Sequence, residues 1–66
     1  MLITVNNQPR QVDAPLSVAE LLASMKIPAG GTAVAVNNRL VPGAERDNKM
    51  LADGDVVVII GAAYGG

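Results

Sequence analysis

The chain has 66 residues, half of them hydrophobic but only one aromatic, so it forms one small domain with an aliphatic core. Because it contains no Cys or His, disulfides, thiol chemistry and the usual zinc ligands are excluded, and the chain alone is not expected to be an enzyme. The net charge of −1 argues against a nucleic-acid partner, which would require a basic surface.

The first segment has the pattern of a β-hairpin. Residues 1–5 place Met1, Ile3 and Val5 on one side and predict a strand. Asn6-Asn7 tolerates the positive φ angles of a tight turn, and residues 8–13 then return as a second strand. Pro9 has no amide donor, so the second strand should lie at a sheet edge.

A helix follows the hairpin. Ser17-Val18-Ala19-Glu20 is a capping-box sequence, with Leu16 and Leu21 at the positions of a hydrophobic staple. Lys26 is placed in the last turn, and Pro28 with Gly30-Gly31 is expected to end the helix. One apolar stripe recurs at i, i+3, i+4 and i+7: Val18, Leu21, Leu22 and Met25.

The second half contains another hairpin and a final strand. Residues 32–36 predict a third strand, Asn37-Asn38 repeats the turn, and residues 39–41 form a short fourth strand. The polar segment that follows is irregular, with one helical turn at most. Asp53-Gly54-Asp55 is interpreted as a tight turn rather than a metal site. The β-branched run of residues 56–60 is apolar on both faces, so it predicts a central strand parallel to the first.

This order of elements predicts an α+β roll with two layers. A mixed sheet of four to five strands carries one main helix on one face, which is the β-grasp, or ubiquitin-like, arrangement. The folded domain is predicted to span residues 1–60, and residues 61–66 are predicted to form a flexible C-terminal tail.

The tail sequence, Gly61-Ala62-Ala63-Tyr64-Gly65-Gly66, suggests chemistry at the C-terminus. Six extended residues reach roughly 20 Å, which is enough to enter the active site of another protein. The terminal glycines lack Cβ and suit a narrow channel. The carboxylate becomes reactive when ATP adenylates it, and a sulfur nucleophile can then displace AMP to leave a thiocarboxylate. The alternative interpretation is a frayed tail that ends in glycine by chance.

Six segments carry a resemblance to a known family along the whole chain. They are residues 2–7, 17–22, 33–38, 40–42, 51–55 and 65–66. In order and spacing they resemble the thiamine-biosynthesis sulfur carrier family (ThiS). Arg46 departs from the bulky apolar or aromatic residue that members often carry nearby, and Tyr64 departs from their usual aliphatic residue or glycine.

The resemblance implies a carrier protein that serves as a co-substrate of other enzymes. Gly66 would be adenylated and converted to a thiocarboxylate, with Tyr64, Gly65 and Gly66 entering the active site of the partner. The implied partners are a ubiquitin-activating-like adenylyltransferase, a thiazole synthase and a sulfur donor of the cysteine desulfurase or rhodanese type. No cofactor is expected on this chain, because the ATP belongs to the activating enzyme.

The resemblance and the alternation of the first strand also predict a partner-docking surface. Val57 and Ile59 are expected to face the core, which leaves an apolar set on the opposite sheet face: Leu2, Val56, Val58 and Ile60. Such a patch on a small domain usually marks a partner site. The competing explanation is that the aliphatic run only strengthens a central strand.

Other functions share the same terminus. A carrier for molybdopterin synthesis or tRNA thiolation uses an identical Gly-Gly end, and a ubiquitin-like protein modifier joins lysines through it. A plain β-grasp interaction module needs no such end.

The chain starts without a signal-like segment and has no long apolar run, so a cytoplasmic, monomeric protein that does not bind membranes is expected. The five cations, Arg10, Lys26, Arg39, Arg46 and Lys49, are interpreted as solubilising surface.

Overall fold

The computed structural model of the protein describes residues 1–61, which form a five-stranded mixed sheet with one α-helix against one face. The sheet order is β2-β1-β5-β3-β4, with β5 parallel to β1 and antiparallel to β3. The β-grasp prediction is therefore confirmed. The elements are β1 (Leu2–Val5), β2 (Gln8–Gln11), α1 (Val18–Ser24), β3 (Thr32–Val36), β4 (Arg39–Val41), a 3₁₀-helix (Gly43–Glu45) and β5 (Val56–Gly61).

Two Asn-Asn turns connect the paired strands, as predicted. Asn6 and Asn7 have φ angles of 50° and 68°, and Asn37 and Asn38 have 52° and 68°. Positive φ at both central residues is the requirement of a type I′ turn, whose twist matches that of the flanking strands. The predicted edge position of β2, which contains Pro9, is also confirmed.

The N-terminus of α1 is the predicted capping box. The Ser17 Oγ accepts a hydrogen bond from the Glu20 N–H at 3.1 Å, and the Glu20 Oε1 accepts one from the Ser17 N–H at 2.8 Å. Val18, Leu21 and Leu22 are buried on the helix stripe. Among residues 1–61 there is no helix with the length and apolar character needed to cross a membrane.

The C-terminus of α1 differs from the prediction. The helix ends at Ser24, and Lys26 lies beyond it with a φ of 59° instead of in its last turn. The Ile27 N–H donates to the Leu22 carbonyl at 2.9 Å, and the Lys26 N–H donates to the Ala23 carbonyl at 3.1 Å. This pair of bonds is a Schellman motif, so the helix stops before Pro28 and the glycines are reached.

The left-handed backbone at Lys26 makes a stability prediction. Lys26→Gly is expected to raise the free energy of unfolding by up to about 1 kcal/mol, because glycine removes the steric cost of positive φ. Urea denaturation measures the change. Lys26→Ala is the control, since it removes the lysine side chain but keeps Cβ, and it should change stability little. If the free energy of unfolding of Lys26→Gly does not exceed that of Lys26→Ala, the backbone at Lys26 is not strained.

The core lies between the sheet and α1 and is entirely aliphatic. Within β5, Val57 and Ile59 face inward, which confirms the predicted orientation of this strand. The exposed positions of β5 therefore face away from the helix. The core side chains are Ile3, Val5, Val18, Leu21, Leu22, Ile27, Val34, Val36, Val41, Leu51, Val57 and Ile59.

The interpretation of Arg46 as solubilising surface is wrong. Its side chain is only 7% exposed, whereas the other four cations are exposed. The guanidinium donates to the backbone carbonyls of Ala29 and Thr32 and to the Thr32 hydroxyl. Arg46 therefore joins the loop after the 3₁₀-helix to the segment that leads into β3.

Candidate functional site

The residues predicted to react and to enter a partner, Tyr64, Gly65 and Gly66, lie outside the described residues. The structure instead shows the strand to which they are attached. β5 is the middle strand of the sheet and ends at Gly61, with β1 on one side and β3 on the other. The pairing with β1 runs only to Val57, whereas the pairing with β3 continues to Gly61, so β3 holds the last residue of β5.

Asn6 extends the support that β1 gives to β5. The backbone of β1 turns away after Val5, but the Asn6 side chain continues the pairing with Ile59. Its Oδ1 accepts from the Ile59 N–H at 2.8 Å, and its Nδ2 donates to the Ile59 carbonyl at 3.1 Å. The side-chain amide thus replaces the peptide group that the turn removes from the ladder.

Asn37 makes a related contact on the other side of β5. Its Oδ1 accepts from the Val56 N–H at 2.9 Å, and its Nδ2 donates to Asp55 Oδ1 at 2.9 Å. The sequence interpretation assigned both Asn-Asn pairs to turn formation only. The sequence feature that indicates these side-chain contacts is the repeated Asn at the first turn position, because Asn supplies a side-chain amide as well as tolerating positive φ.

Gly61 lies where no larger residue fits. A Cβ at this position would stand 2.9 Å from the Gly31 carbonyl oxygen and 2.9 Å from Thr32 Cγ2. Gly61 pairs with Thr32 in the register of β5 and β3. The end of β5 is therefore in close contact with the segment that precedes β3.

The four predicted docking residues share the sheet face opposite α1. Leu2 is 49% exposed, Val56 46%, Val58 39% and Ile60 66%. The strand register brings the β5 residues beside small side chains, because Ile60 pairs with Ala33 and Val58 with Ala35. These side chains therefore lie on one face of the sheet, and their role in docking stays a prediction.

Leu40 belongs to the same face and was missed from the sequence. It is 69% exposed and pairs with Ala35, which itself pairs with Val58. The sequence feature that indicates its exposure is the alternation along β4, because the neighbouring Val41 is buried. None of the strand residues on this face in residues 1–61 carries a charge. We call the exposed set Leu2, Leu40, Val56, Val58 and Ile60 the outer patch.

The Asp53-Gly54-Asp55 segment is a turn, as interpreted. Asp53 Oδ1 accepts from the Leu2 N–H at 2.7 Å, and Asp55 Oδ2 accepts from the Ala52 N–H at 2.8 Å. Gly54 has a φ of 86°, which glycine adopts without strain. Both carboxylates accept backbone hydrogen bonds that stabilise the turn before β5. In the part of the chain described, no three His, Cys, Asp or Glu residues are grouped so as to hold a metal ion.

Comparisons with known proteins agree with the fold and extend to the terminus. The model of the ThiS family matches residues 3–66. A sulfur carrier protein ThiS from Thermus thermophilus is 31% identical over 65 residues, covering 98% of this chain and all of that protein.

Two solved structures from Geobacter metallireducens are also similar. The crystal structure of a thiamine biosynthesis protein (ThiS) is 32% identical, with a TM-score of 0.83 and full coverage of both chains. An NMR solution structure of a thiamine biosynthesis protein is 33% identical, with a TM-score of 0.80, and covers all of this chain and 88% of that one. The sequence match over nearly the whole length and the shared sheet topology lead to one conclusion: the chain belongs to the ThiS family.

Proposed function

We propose that the protein is a sulfur carrier of thiamine biosynthesis, in which Gly66 is adenylated and then converted to a thiocarboxylate that donates sulfur for thiazole formation. The observation that carries the proposal is the family match, which runs through the terminal Gly65-Gly66 pair. The folded domain, whose last strand ends at Gly61, acts as the carrier domain, and the residues after it, which end in Gly65-Gly66, act as the tail offered to partners.

The proposed chemistry takes place on the terminal carboxylate. A Gly66 carboxylate oxygen attacks the α-phosphorus of ATP, and pyrophosphate leaves. Hydrosulfide then attacks the acyl carbon, and the bond to AMP breaks to leave the thiocarboxylate. Where a donor protein supplies the sulfur as a persulfide, the outer sulfur attacks and AMP leaves, and a second thiol then cleaves the resulting acyl disulfide and is itself oxidised to a disulfide. Because His and Cys are absent from the chain, acid–base catalysis and the sulfur come from partners. The carrier is thus a co-substrate and not an enzyme.

The proposed partners are an activating enzyme, a sulfur donor and a sulfur acceptor. The first is a ubiquitin-activating-like adenylyltransferase, which uses ATP. The second is a cysteine desulfurase or a rhodanese-type protein, and the third is a thiazole synthase. In this scheme the chain binds no cofactor of its own, and specificity depends on the outer patch and on the fit of Tyr64, Gly65 and Gly66 in each active site.

Intact mass spectrometry tests the proposal. The purified protein is incubated with the activating enzyme, ATP and sulfide, and the mass should rise by the difference between a sulfur and an oxygen atom, in the C-terminal peptide. The Thermus thermophilus relative, treated in the same way with its own activating enzyme, is the positive control. An unmodified chain beside a modified control would overturn the proposed function.

We propose that the outer patch seats the carrier on its partners. Its side chains are apolar and exposed, and three of them, Val56, Val58 and Ile60, lie on β5. A partner that binds this face therefore binds the strand from which the chain continues to Gly66. Uncharged, contiguous apolar surface is the usual core of a protein interface.

The central position of Val58 makes the docking role testable. Val58→Lys should leave the fold nearly intact, because the side chain points to solvent, but should weaken binding to the activating enzyme roughly 30-fold or more. Isothermal titration calorimetry measures the affinity. Ala23→Lys, on the exposed side of α1, adds the same charge away from the patch and should bind as the wild type does. A folded Val58→Lys protein with unchanged affinity would remove this face from the docking surface.

A further inference from the structure

Among residues 1–61, the guanidinium of Arg46 is buried without a carboxylate partner. Its Nη1 donates to the Ala29 carbonyl at 2.9 Å and to the Thr32 Oγ1 at 3.1 Å, and its Nη2 donates to the Thr32 carbonyl at 2.6 Å. These acceptors are neutral oxygens, and Nε finds no hydrogen-bond partner among residues 1–61. Arginine remains charged in proteins, so its burial against neutral groups carries a desolvation cost. Such a costly group suggests a role beyond filling space.

The acceptors of Arg46 belong to one short segment, residues 29–32. Thr32 Oγ1 donates to the Ala29 carbonyl at 2.9 Å, and Arg46 Nη1 contacts both oxygens, so the three groups form a closed network. The backbone of Arg46 also accepts a bond from the Ala19 N–H at 3.0 Å. Arg46 thus fixes the 29–32 segment relative to the first turn of α1.

The same segment packs against the root of the tail. Thr32 pairs with Gly61, and a Cβ on Gly61 would stand 2.9 Å from the Gly31 oxygen and from Thr32 Cγ2. The pairing of Thr32 with Gly61 in the ladder between β3 and β5 joins the two backbones at this point. The position of Gly61 therefore depends on the position of the segment that Arg46 holds.

We infer that Arg46 is a positioning residue for the C-terminal tail. It fixes residues 29–32 against Gly61 and thereby holds the end of β5, from which the chain continues to Gly66. This inference rests on the proposed function. An enzyme that activates Gly66 must receive the carboxylate in a near-attack geometry, and a shift of about 1 Å can cost about 100-fold in rate. Docking through the outer patch does not involve Arg46.

The inference predicts a specific kinetic signature. Arg46→Met keeps a long side chain in the same space but removes the hydrogen bonds to Ala29 and Thr32. With the activating enzyme, its kcat for adenylation should fall about tenfold or more, while KM, which reflects docking, changes less than about twofold. Arg46→Lys, which can donate to some of the same oxygens, should restore part of the rate.

A matched variant separates positioning from lost stability. Ser17→Ala removes the helix cap and lowers stability by about 1 kcal/mol. The Ser17 side chain takes no part in the hydrogen bonds between Arg46 and residues 29–32. At a temperature where all variants are folded, Ser17→Ala should keep the wild-type kcat. Equal losses of kcat in Ser17→Ala and Arg46→Met would overturn the positioning role. If Arg46→Met does not fold, Thr32→Val removes the hydroxyl acceptor while keeping a β-branched shape, and it should lower kcat in the same direction.

A second measurement is independent of the proposed function. In NMR spectra of the free protein, Arg46→Met should shift the amide resonance of Gly61 and speed its hydrogen exchange, although the two residues are 15 positions apart in the sequence. Unchanged Gly61 resonances and exchange would overturn the inference. The two measurements can disagree. If the wild-type chain is never adenylated but Arg46→Met still perturbs Gly61, the proposed function is refuted and the structural coupling between Arg46 and Gly61 stands.

Discussion

Blocking the carboxylate of Gly66 is expected to abolish thiocarboxylate formation and leave the free energy of unfolding unchanged. A single residue added after Gly66 turns its carboxylate into a peptide bond, which ATP does not activate. Terminal residues generally bury little surface, so the fold should not respond. Intact mass spectrometry after incubation with the activating enzyme measures the first effect, and urea denaturation the second.

The same sample can supply the control for this prediction. If the added residue is an arginine, a carboxypeptidase specific for basic C-terminal residues removes it, which restores the native terminus and should restore activation. Deleting Gly66 instead places the Gly65 carboxylate about 3.5 Å short of the reacting position and should also prevent the reaction. A blocked protein that still acquires the sulfur-for-oxygen mass difference would mean that another group reacts. Unfolding of the blocked protein would contradict the separation of tail and domain.

Leu22→Ala is expected to destabilise the protein by about 2–5 kcal/mol. Leu22 is 3% exposed on the inner face of α1, so its truncation removes buried methyl groups and leaves a cavity. At about 0.05–0.15 kcal/mol per residue, a domain of this length has roughly 3–10 kcal/mol of total stability. One leucine thus accounts for a large share of it, and part of the variant should be unfolded in water.

An exposed leucine provides the matched control for Leu22→Ala. Leu40 is 69% exposed on the outer patch, so Leu40→Ala should change the unfolding free energy by less than about 0.5 kcal/mol. Equilibrium urea denaturation measures the unfolding free energy of both proteins, and a single m-value is used to compare them. Similar losses at the two positions would contradict the assignment of the core to the helix side of the sheet.

Short-range patterns predicted most of the fold. The Asn6-Asn7 turn and the capping box of Ser17 and Glu20 depend on atoms only a few residues apart, so the residue types reveal them directly. The alternation of β1 and the β-branched run of β5 indicated which strands are half-buried and which is central. These local signals agree with one another, and their order along the chain corresponds to the β-grasp topology.

Contacts between distant residues were decided only by the tertiary structure. The orientation of β5 is an intermediate case. Both of its faces are apolar, so it was predicted from the alternation of β1 and the family resemblance, and the burial pattern confirms it. Asn6 bonds Ile59 across 53 positions, and Arg46 bonds Ala29 across 17. Backbone carbonyls that accept such bonds exist at every residue and leave no mark in the sequence. From the sequence alone, a charged side chain such as that of Arg46 is therefore predicted to be exposed, and only the tertiary structure shows the acceptors around it.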